Sequence, residues 1–431
     1  RGWIDAEAVA PRNVRSPLQS EIEQYLTKDD SYLEDDAIKT ILAKLERATS
    51  SLGCPGVVKV FGSFANGFKG SRSDLDLTLC CSGDRPSFES LAALLPDLGF
   101  EYIVKVSQAQ TPLLKFTDRQ SGMEIDFCIS QDLGVRNSLL MDCYCRCDVR
   151  VVQLGRLVKC WAKRHQLVGT SDGCLNSYAY LLLTVFYLQL QRPPVVPNLQ
   201  VLATDPKPLH DRKWGCDDVW DTKFVEDVAS FPPSENTMDI GELLTGFFRF
   251  FSDRFDWRAH SVCVRLGQVG LAIDKFSLAT TTDSDQWYIE DPFDLKHNLA
   301  GKCTREGRQR ILREMQSAWN TLKNGGTWRE VCPEGESQPF FLKCNISKQV
   351  TPEALLDTFQ DGLLRLHVAY NRTRQVFFEF DSASARRKAH AKNESFVDDC
   401  QMHLLLCSGH GLVEARREGV VTTFETARVL Q

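Results

Sequence analysis

The run Val60-Phe61-Gly62-Ser63 is followed by Ser73-Asp74-Leu75-Asp76-Leu77, and no other feature of the chain limits its fold so tightly. Val57 to Phe61 reads as a strand that Gly62 breaks. Ser63 then falls in a turn whose backbone N–H groups suit a phosphate. From Asp74 to Leu79 a two-residue alternation sends both Asp side chains to one face of a strand and the leucines to the other. Two carboxylates held so close repel, and a fold keeps such a pair chiefly to hold divalent cations. A third acid, Asp126, interrupts the apolar strand Met123 to Ile129, which a turn over Asp118 to Gly122 joins to a strand beginning Leu113-Leu114-Lys115-Phe116. A buried lone carboxylate costs on the order of several kcal/mol unless it is paired or metal-bound. An Asp-x-Asp or a Gly-Ser turn alone would be ordinary in a chain with 57 acidic residues. Their order, with strands on both sides, points to phosphoryl or nucleotidyl transfer.

The residues Phe61-Gly62-Ser63, Asp74-Leu75-Asp76 and Asp126 resemble the nucleotidyltransferase superfamily of DNA polymerase β, and within it the terminal uridylyltransferases and related poly(A) polymerases. The resemblance runs over residues 17 to 325. Asn137-Ser138-Leu139-Leu140 with Asp148-Val149-Arg150 looks like the family segment after the third Asp. Lys159-Cys160-Trp161-Ala162-Lys163 and Leu175-Asn176-Ser177-Tyr178-Ala179 look like its nucleotide-binding helices. Gly241 to Phe248 with Phe255-Asp256-Trp257 matches its associated helical segment, and Glu290-Asp291-Pro292-Phe293 with His297-Asn298 its base-recognition loop.

The resemblance implies a two-metal transfer using Mg²⁺ or Mn²⁺, in which the RNA 3′-hydroxyl attacks the α-phosphate and pyrophosphate leaves. Asp74 and Asp76 would bridge both ions; Asp126 would hold the one that acidifies the 3′-hydroxyl. Gly62 and Ser63 would hold the triphosphate, and Lys159 and Lys163, four apart on one helical face, its outer phosphates. An exposed charged helix face is the plainer reading of those lysines. By the same resemblance Ser177 touches phosphate, Tyr178 stacks on the base, and Asn137 contacts the ribose 2′-hydroxyl. Asp291 and Asp294 would read the uracil N3–H, and His297 would narrow the pocket against a purine. UTP is therefore the expected nucleotide and a single-stranded RNA 3′ end the acceptor. An ATP-using poly(A) polymerase and a silent RNA-binding scaffold of the same fold are the alternatives.

Composition fits a globular enzyme: 431 residues, 43% hydrophobic and 25% charged. A net charge of −6 does not attract RNA through the molecule's overall field. Local cations must do so, and the basic stretches Arg136 to His165 and Ser384 to Asn393 are candidates beside their reading as solvated helix faces. The 16 cysteines are scattered through apolar segments without a CxxC pair, as expected of free thiols in a reducing compartment. Cys400, His403, Cys407 and His410 are zinc-type ligands within reach of one another, yet Leu404-Leu405-Leu406 between them reads as a core strand. No run of 18 apolar residues argues for a membrane span. The chain opens on Arg1 rather than Met, which leaves room for a leader or an upstream domain and leaves targeting undecided.

The expected architecture is α+β. An N-terminal helical segment (1–50) packs on the core; a nucleotidyltransferase palm (51–135) faces a mostly helical base-recognition domain (136–330) across a cleft. After a Gly- and Pro-marked linker, residues 340–415 read βαββαβ and resemble an RNA recognition motif, followed by a tail over 416–431. Of that motif's base-stacking aromatics only Phe377 remains, with Leu342 and Gln375 at the other positions. Packing or protein contacts are thus expected of this domain ahead of base stacking. The appendage gives a likeness to the kinetoplastid mitochondrial RNA-editing uridylyltransferases, although their N-terminal zinc finger is not seen, and it favours a mitochondrial over a cytoplasmic setting. The RNA substrate, tail length and processivity are not legible in the sequence.

Overall fold

A computed structural model describes residues 16–27, 35–70, 73–81, 83–107, 111–210, 219–268, 270–271, 285–333, 340–346, 350–370, 374–393, 395–398, 400–407, 412, 415–416 and 421–426. The first fifteen residues, part of the loop between Asp205 and Asp227, and His410 of the zinc-type set lie outside them. The chain folds as two compact units, each assembled from separate stretches: Arg1–Glu34, Val60–Ser73 and Ser130–Glu334 in one, and Asp35–Lys59, Asp74–Ile129 and Gly335–Gln431 in the other. The contiguous domains expected from the sequence are thus interleaved.

The second unit is built on two sheets. Strands β1 (Val57–Phe61), β2 (Leu75–Cys80), β3 (Phe100–Val106), β4 (Leu113–Asp118) and β5 (Glu124–Ile129) form the first, in the order β1-β2-β5-β4-β3. Leu75, Leu77 and Leu79 are fully buried, as the alternation in β2 requires, and Ile125 and Phe127 match them on β5. β2 and β5 run parallel, whereas β4 pairs antiparallel with both β5 and β3. The turn after β4 is closed by Gly122, at φ 71°, whose N–H donates to the Asp118 carbonyl. Asp118 itself is buried and accepts from Ser121 N and Oγ and from Lys44 of a helix over Asp35–Ser51.

The other sheet lies in the C-terminal part. Strands β6 (Phe340–Asn345), β7 (Leu363–Tyr370), β8 (Arg374–Phe380), β9 (Leu405–Cys407) and β10 (Val421–Glu425) stand in the order β9-β6-β8-β7-β10. Helices over Pro352–Thr358 and Ala383–His390 complete the βαββαβ order. Thr351 caps the first of them by accepting from Ala354 N. Val421–Glu425, expected to lie in a tail, pairs instead with β7 from Ala369 to Arg365 as a fifth strand. Phe377 is 1% exposed and packs with Phe341, Leu412 and Ala415. Met402 and Leu404, between the zinc-type ligands, are buried in the core, and no cluster of three metal-ligating side chains occurs among the described residues.

The first unit is mainly helical. Its helices include α1 (Pro17–Thr27), α2 (Asp132–Cys147), α3 (Val149–Arg164), α4 (Ser177–Leu190), α5 (Ile240–Arg249), α6 (Arg305–Lys323) and the single turn α7 (Trp328–Val331). Four of these starts have a local cause. Asp148 caps α3, Asn176 caps α4, Thr304 caps α6, and Asp239 with Glu242 forms a capping box on α5. α4 is apolar nearly all round and runs through the middle of the core, where Trp161, Tyr180, Phe186, Phe247 and Phe248 are fully buried. No described helix is long and apolar enough to cross a membrane.

Candidate active site

The acids sit where sheet register puts them together. Asp76 on β2 is the direct partner of Asp126 on β5, and Asp126 is the direct partner of Lys115 on β4. Asp74 lies one residue ahead of β2. A row of acid, acid and ammonium therefore crosses three strands, because side chains at paired positions share a face. Lys115 forms an ion pair with Asp126, with about a fifth of each side chain exposed. Burial works against the ammonium, but Asp126 first and then Asp74 and Asp76 outweigh it and raise the Lys115 pKa. All three acids thus act on one cation. That is the donor chemistry a hard divalent ion needs, although the carboxylates as placed do not form a closed ligand set. Lys115 went unnoticed in the sequence; a lysine inside the apolar run of β4 was the available signal.

In the helical unit, Gly62 opens a single 3₁₀ turn, Gly62–Phe64, with φ 65°. The Gly62 N–H donates to Ser138 Oγ at 2.8 Å, and that hydroxyl donates to the Gly134 carbonyl at 2.8 Å, fixing the turn on α2. Lys159 is 9% exposed and its ammonium donates to the Phe68 carbonyl at 3.0 Å. Its visible work is to hold the loop that follows the turn. Lys163, one helical turn on, is exposed.

The base-recognition loop is a hydrogen-bonded knot. Asp291, 3% exposed, accepts from Phe293 N and Asp294 N on one carboxylate oxygen and from Asn137 Nδ2 at 3.2 Å on the other. His297 Nδ1 lies 3.9 Å from that second oxygen, and its N–H donates to the Asp294 carbonyl. The half-exposed Asp294 carboxylate accepts from Lys296 N. Asn298 ties the loop ends through Ile289, Ala300 and Trp287, and Arg265 clasps Glu290 at 3.0 and 3.2 Å. Burial, with Asp291 and Tyr144 adding to it, pushes the Tyr178 phenol well above its usual range. The Tyr178 hydroxyl and Asn137 Oδ1 are buried without a hydrogen-bond partner among the described residues. Such orphans call for a ligand or water. The structure thus gathers Asn137, Tyr178, Asp291 and His297; Ser177, half-buried, is the first residue of α4, just before Tyr178.

Comparison with known proteins decides the relationship. Residues 18–146 match the central palm domain of mitochondrial-like poly(A) RNA polymerase, and residues 239–297 match the Cid1 family poly A polymerase domain. The terminal uridylyltransferase cid1 of Schizosaccharomyces pombe is 30% identical over 285 residues, covering 61% of this chain and 68% of that protein. The chain belongs to the Cid1 family of terminal uridylyltransferases and poly(A) polymerases, in the polymerase β nucleotidyltransferase superfamily. Mouse terminal uridylyltransferase 4 is 33% identical over 273 residues, which is 59% of this chain but only 16% of that relative's length. A solved cytoplasmic RNA terminal U-transferase superposes with a TM-score of 0.63 at 27% identity, covering 74% of this chain and 99% of that one. The polymerase-β-like fold is common to the family.

Neither expected basic stretch is open for RNA along its length. Arg136 pairs with Glu226, Arg146 with Asp142, Arg150 with Asp148 and the Asn236 and Met238 carbonyls, and His165 with Glu314. In the other unit Arg387 pairs with Glu124 at the start of β5, and Asn393 Nδ2 donates to the Lys105 carbonyl on β3. Much of each stretch is taken up by these pairs, while Lys163 and Lys388 stay exposed.

Proposed function

We propose that the chain is a template-independent RNA 3′-terminal uridylyltransferase that adds UMP from UTP and releases pyrophosphate. The register of Asp76 opposite Asp126, with Asp74 beside them, is the observation that carries the reaction. Two divalent ions, Mg²⁺ or Mn²⁺, would be held by Asp74, Asp76 and Asp126 and would supply charge neutralisation at the α-phosphate and a more acidic 3′-hydroxyl. The protein's own groups bind and orient. Gly62 and Ser63 offer the turn for the triphosphate, and the exposed Lys163 supplies charge for its outer phosphates. Asn137 Oδ1 and the Tyr178 hydroxyl are unspent polar groups beside the base loop.

UTP is favoured over ATP by His297 beside Asp291. An acidic acceptor suits the N3–H of uracil, whereas adenine presents an unprotonated N1 there. The second reading, a poly(A) polymerase, is supported by the two matched domains, both of poly(A) polymerases. The C-terminal βαββαβ sheet supports an RNA-recognition-motif-like domain used for packing or protein contacts, since Phe377 lies under Leu412 and Ala415. We place the protein in a reducing compartment, the mitochondrion ahead of the cytoplasm.

The test is extension of a short single-stranded RNA with Mg²⁺ and all four nucleotides in competition, beside Asp76→Ala. The expected result is U tails, lost by about a thousandfold or more in the variant while its thermal unfolding is unchanged. A tails would replace the first reading by the second, and full activity in Asp76→Ala would remove both.

A further inference from the structure

Helix α3 carries Cys160 between Lys159 and Lys163, and its sulfur lies 3.7 Å from that of Cys332, which directly follows α7. Both thiols are reduced; Cys160 is half-buried and Cys332 is 3% exposed. The two segments are fixed against each other on several sides. Glu21 of α1 accepts from Trp328 N and Arg329 N at 2.8 and 3.1 Å and so caps α7. His165 Nε2 bonds the Val331 carbonyl at 2.9 Å, and Arg164 donates to the Pro333 carbonyl at 3.2 Å. Tyr25, packed edge-on against Trp328, puts its hydroxyl 2.8 Å from the Cys160 sulfur.

We infer that Cys160 and Cys332 form a peroxide-oxidisable dithiol, with Cys160 as the reacting sulfur and Cys332 as the resolving one. The geometry supplies both needs of such a site: a sulfur surrounded by donors, and a second thiol close enough to close a disulfide with small side-chain movement. The hydrogen bond from Cys332 acts most strongly on Cys160. Burial opposes it, but the Tyr25 hydroxyl and the Arg164 guanidinium add to it, and the thiol is brought down to about 6. Cys147 on α2 is moved the other way, pushed up to about 12 by burial and by Cys143.

The chemistry balances as two steps. The Cys160 thiolate attacks one oxygen of a hydroperoxide; the O–O bond breaks, a sulfenic acid forms, and the leaving alkoxide or hydroxide takes a proton from water. Cys332 then loses its proton and attacks the Cys160 sulfur. The S–S bond forms, the S–O bond breaks, and the hydroxide leaves as water with that proton. Two thiols lose two electrons, and one hydroperoxide is reduced to an alcohol, or to water in the case of hydrogen peroxide, with release of one further water. The product ties the helix of Lys159 and Lys163 to the segment that ends the helical unit. Nothing in this depends on which nucleotide is used, so its failure leaves the proposed function standing.

The experiment treats the reduced full chain with one equivalent of hydrogen peroxide and maps disulfides by peptide mass spectrometry without reductant. A Cys160–Cys332 peptide is expected to form ahead of every other oxidised cysteine and to disappear with dithiothreitol. In Cys332→Ser the Cys160 sulfenic acid should accumulate and be captured by dimedone; in Cys160→Ser, Cys332 should stay reduced. Iodoacetamide at pH 6 should label Cys160 at least about tenfold faster than Cys147, because thiolate fraction outweighs the lower nucleophilicity of an acidic thiol. Oxidation elsewhere without this peptide would overturn the inference, as would Cys160 labelling that falls with pH in step with Cys147.

Discussion

Lys115 and Asp126 show how much one residue can decide. The three acids were legible in the sequence because a two-residue alternation and an interrupted apolar strand are local patterns. Lys115 was not, since its partnership with Asp126 exists only once β4 pairs with β5. Its ammonium offsets a cluster of like charges that would otherwise have to be borne by the fold or by metal. Lys115→Met should therefore lower the stability of the metal-free protein by about 1–3 kcal/mol, between the cost of losing an exposed pair and that of breaking a buried one. It should also enlarge the stabilisation by Mg²⁺, because the ion then relieves more repulsion. Thermal unfolding of both proteins with and without Mg²⁺ checks this; an unchanged Mg²⁺ shift would mean that Lys115 does not share the field of the acids.

At the scale of the element, α3 does more than present lysines. Gly155 lies in its interior, where a Cβ would come within 2.2 Å of the Phe68 ring. Lys159, four residues on, holds the Phe68 carbonyl. The helix and the loop after Gly62 are thus clamped by one close approach and one hydrogen bond. Gly155→Ala should displace Phe68, cost about 1–3 kcal/mol despite alanine's better helix propensity, and raise the KM for the nucleotide more than it lowers kcat. Steady-state kinetics together with a melt separate this from general unfolding, which would lower the apparent kcat through loss of active enzyme and leave KM unchanged. In the first turn of α3 Asp148 caps the helix and turns Arg150 toward Asn236 and Met238. Those contacts span 86 and 88 residues and have no local signal.

At the scale of the whole molecule, the C-terminal sheet tests what an RNA-recognition-like fold is used for. Phe377 is the stacking aromatic by position, yet it is 1% exposed. Phe377→Ala should destabilise its unit by about 3–5 kcal/mol, as for other buried aromatics, and crosslinking of RNA to that sheet should be absent in the parent protein as well. Loss of RNA binding with an unchanged melt would instead mean that the ring stacks on a base. The sequence by itself determined the strands that carry the acids, the order βαββαβ and the acids of the candidate site, because each rests on a short local pattern. Tertiary structure alone decided that Val421–Glu425 supplies a strand, that Arg136 and Arg387 are spent on Glu226 and Glu124, and that Asn137, Tyr178, Asp291 and His297 meet. The reason is physical: a charge or a polar atom in a sequence has many partners within reach, and only the burial and register of distant segments select one of them.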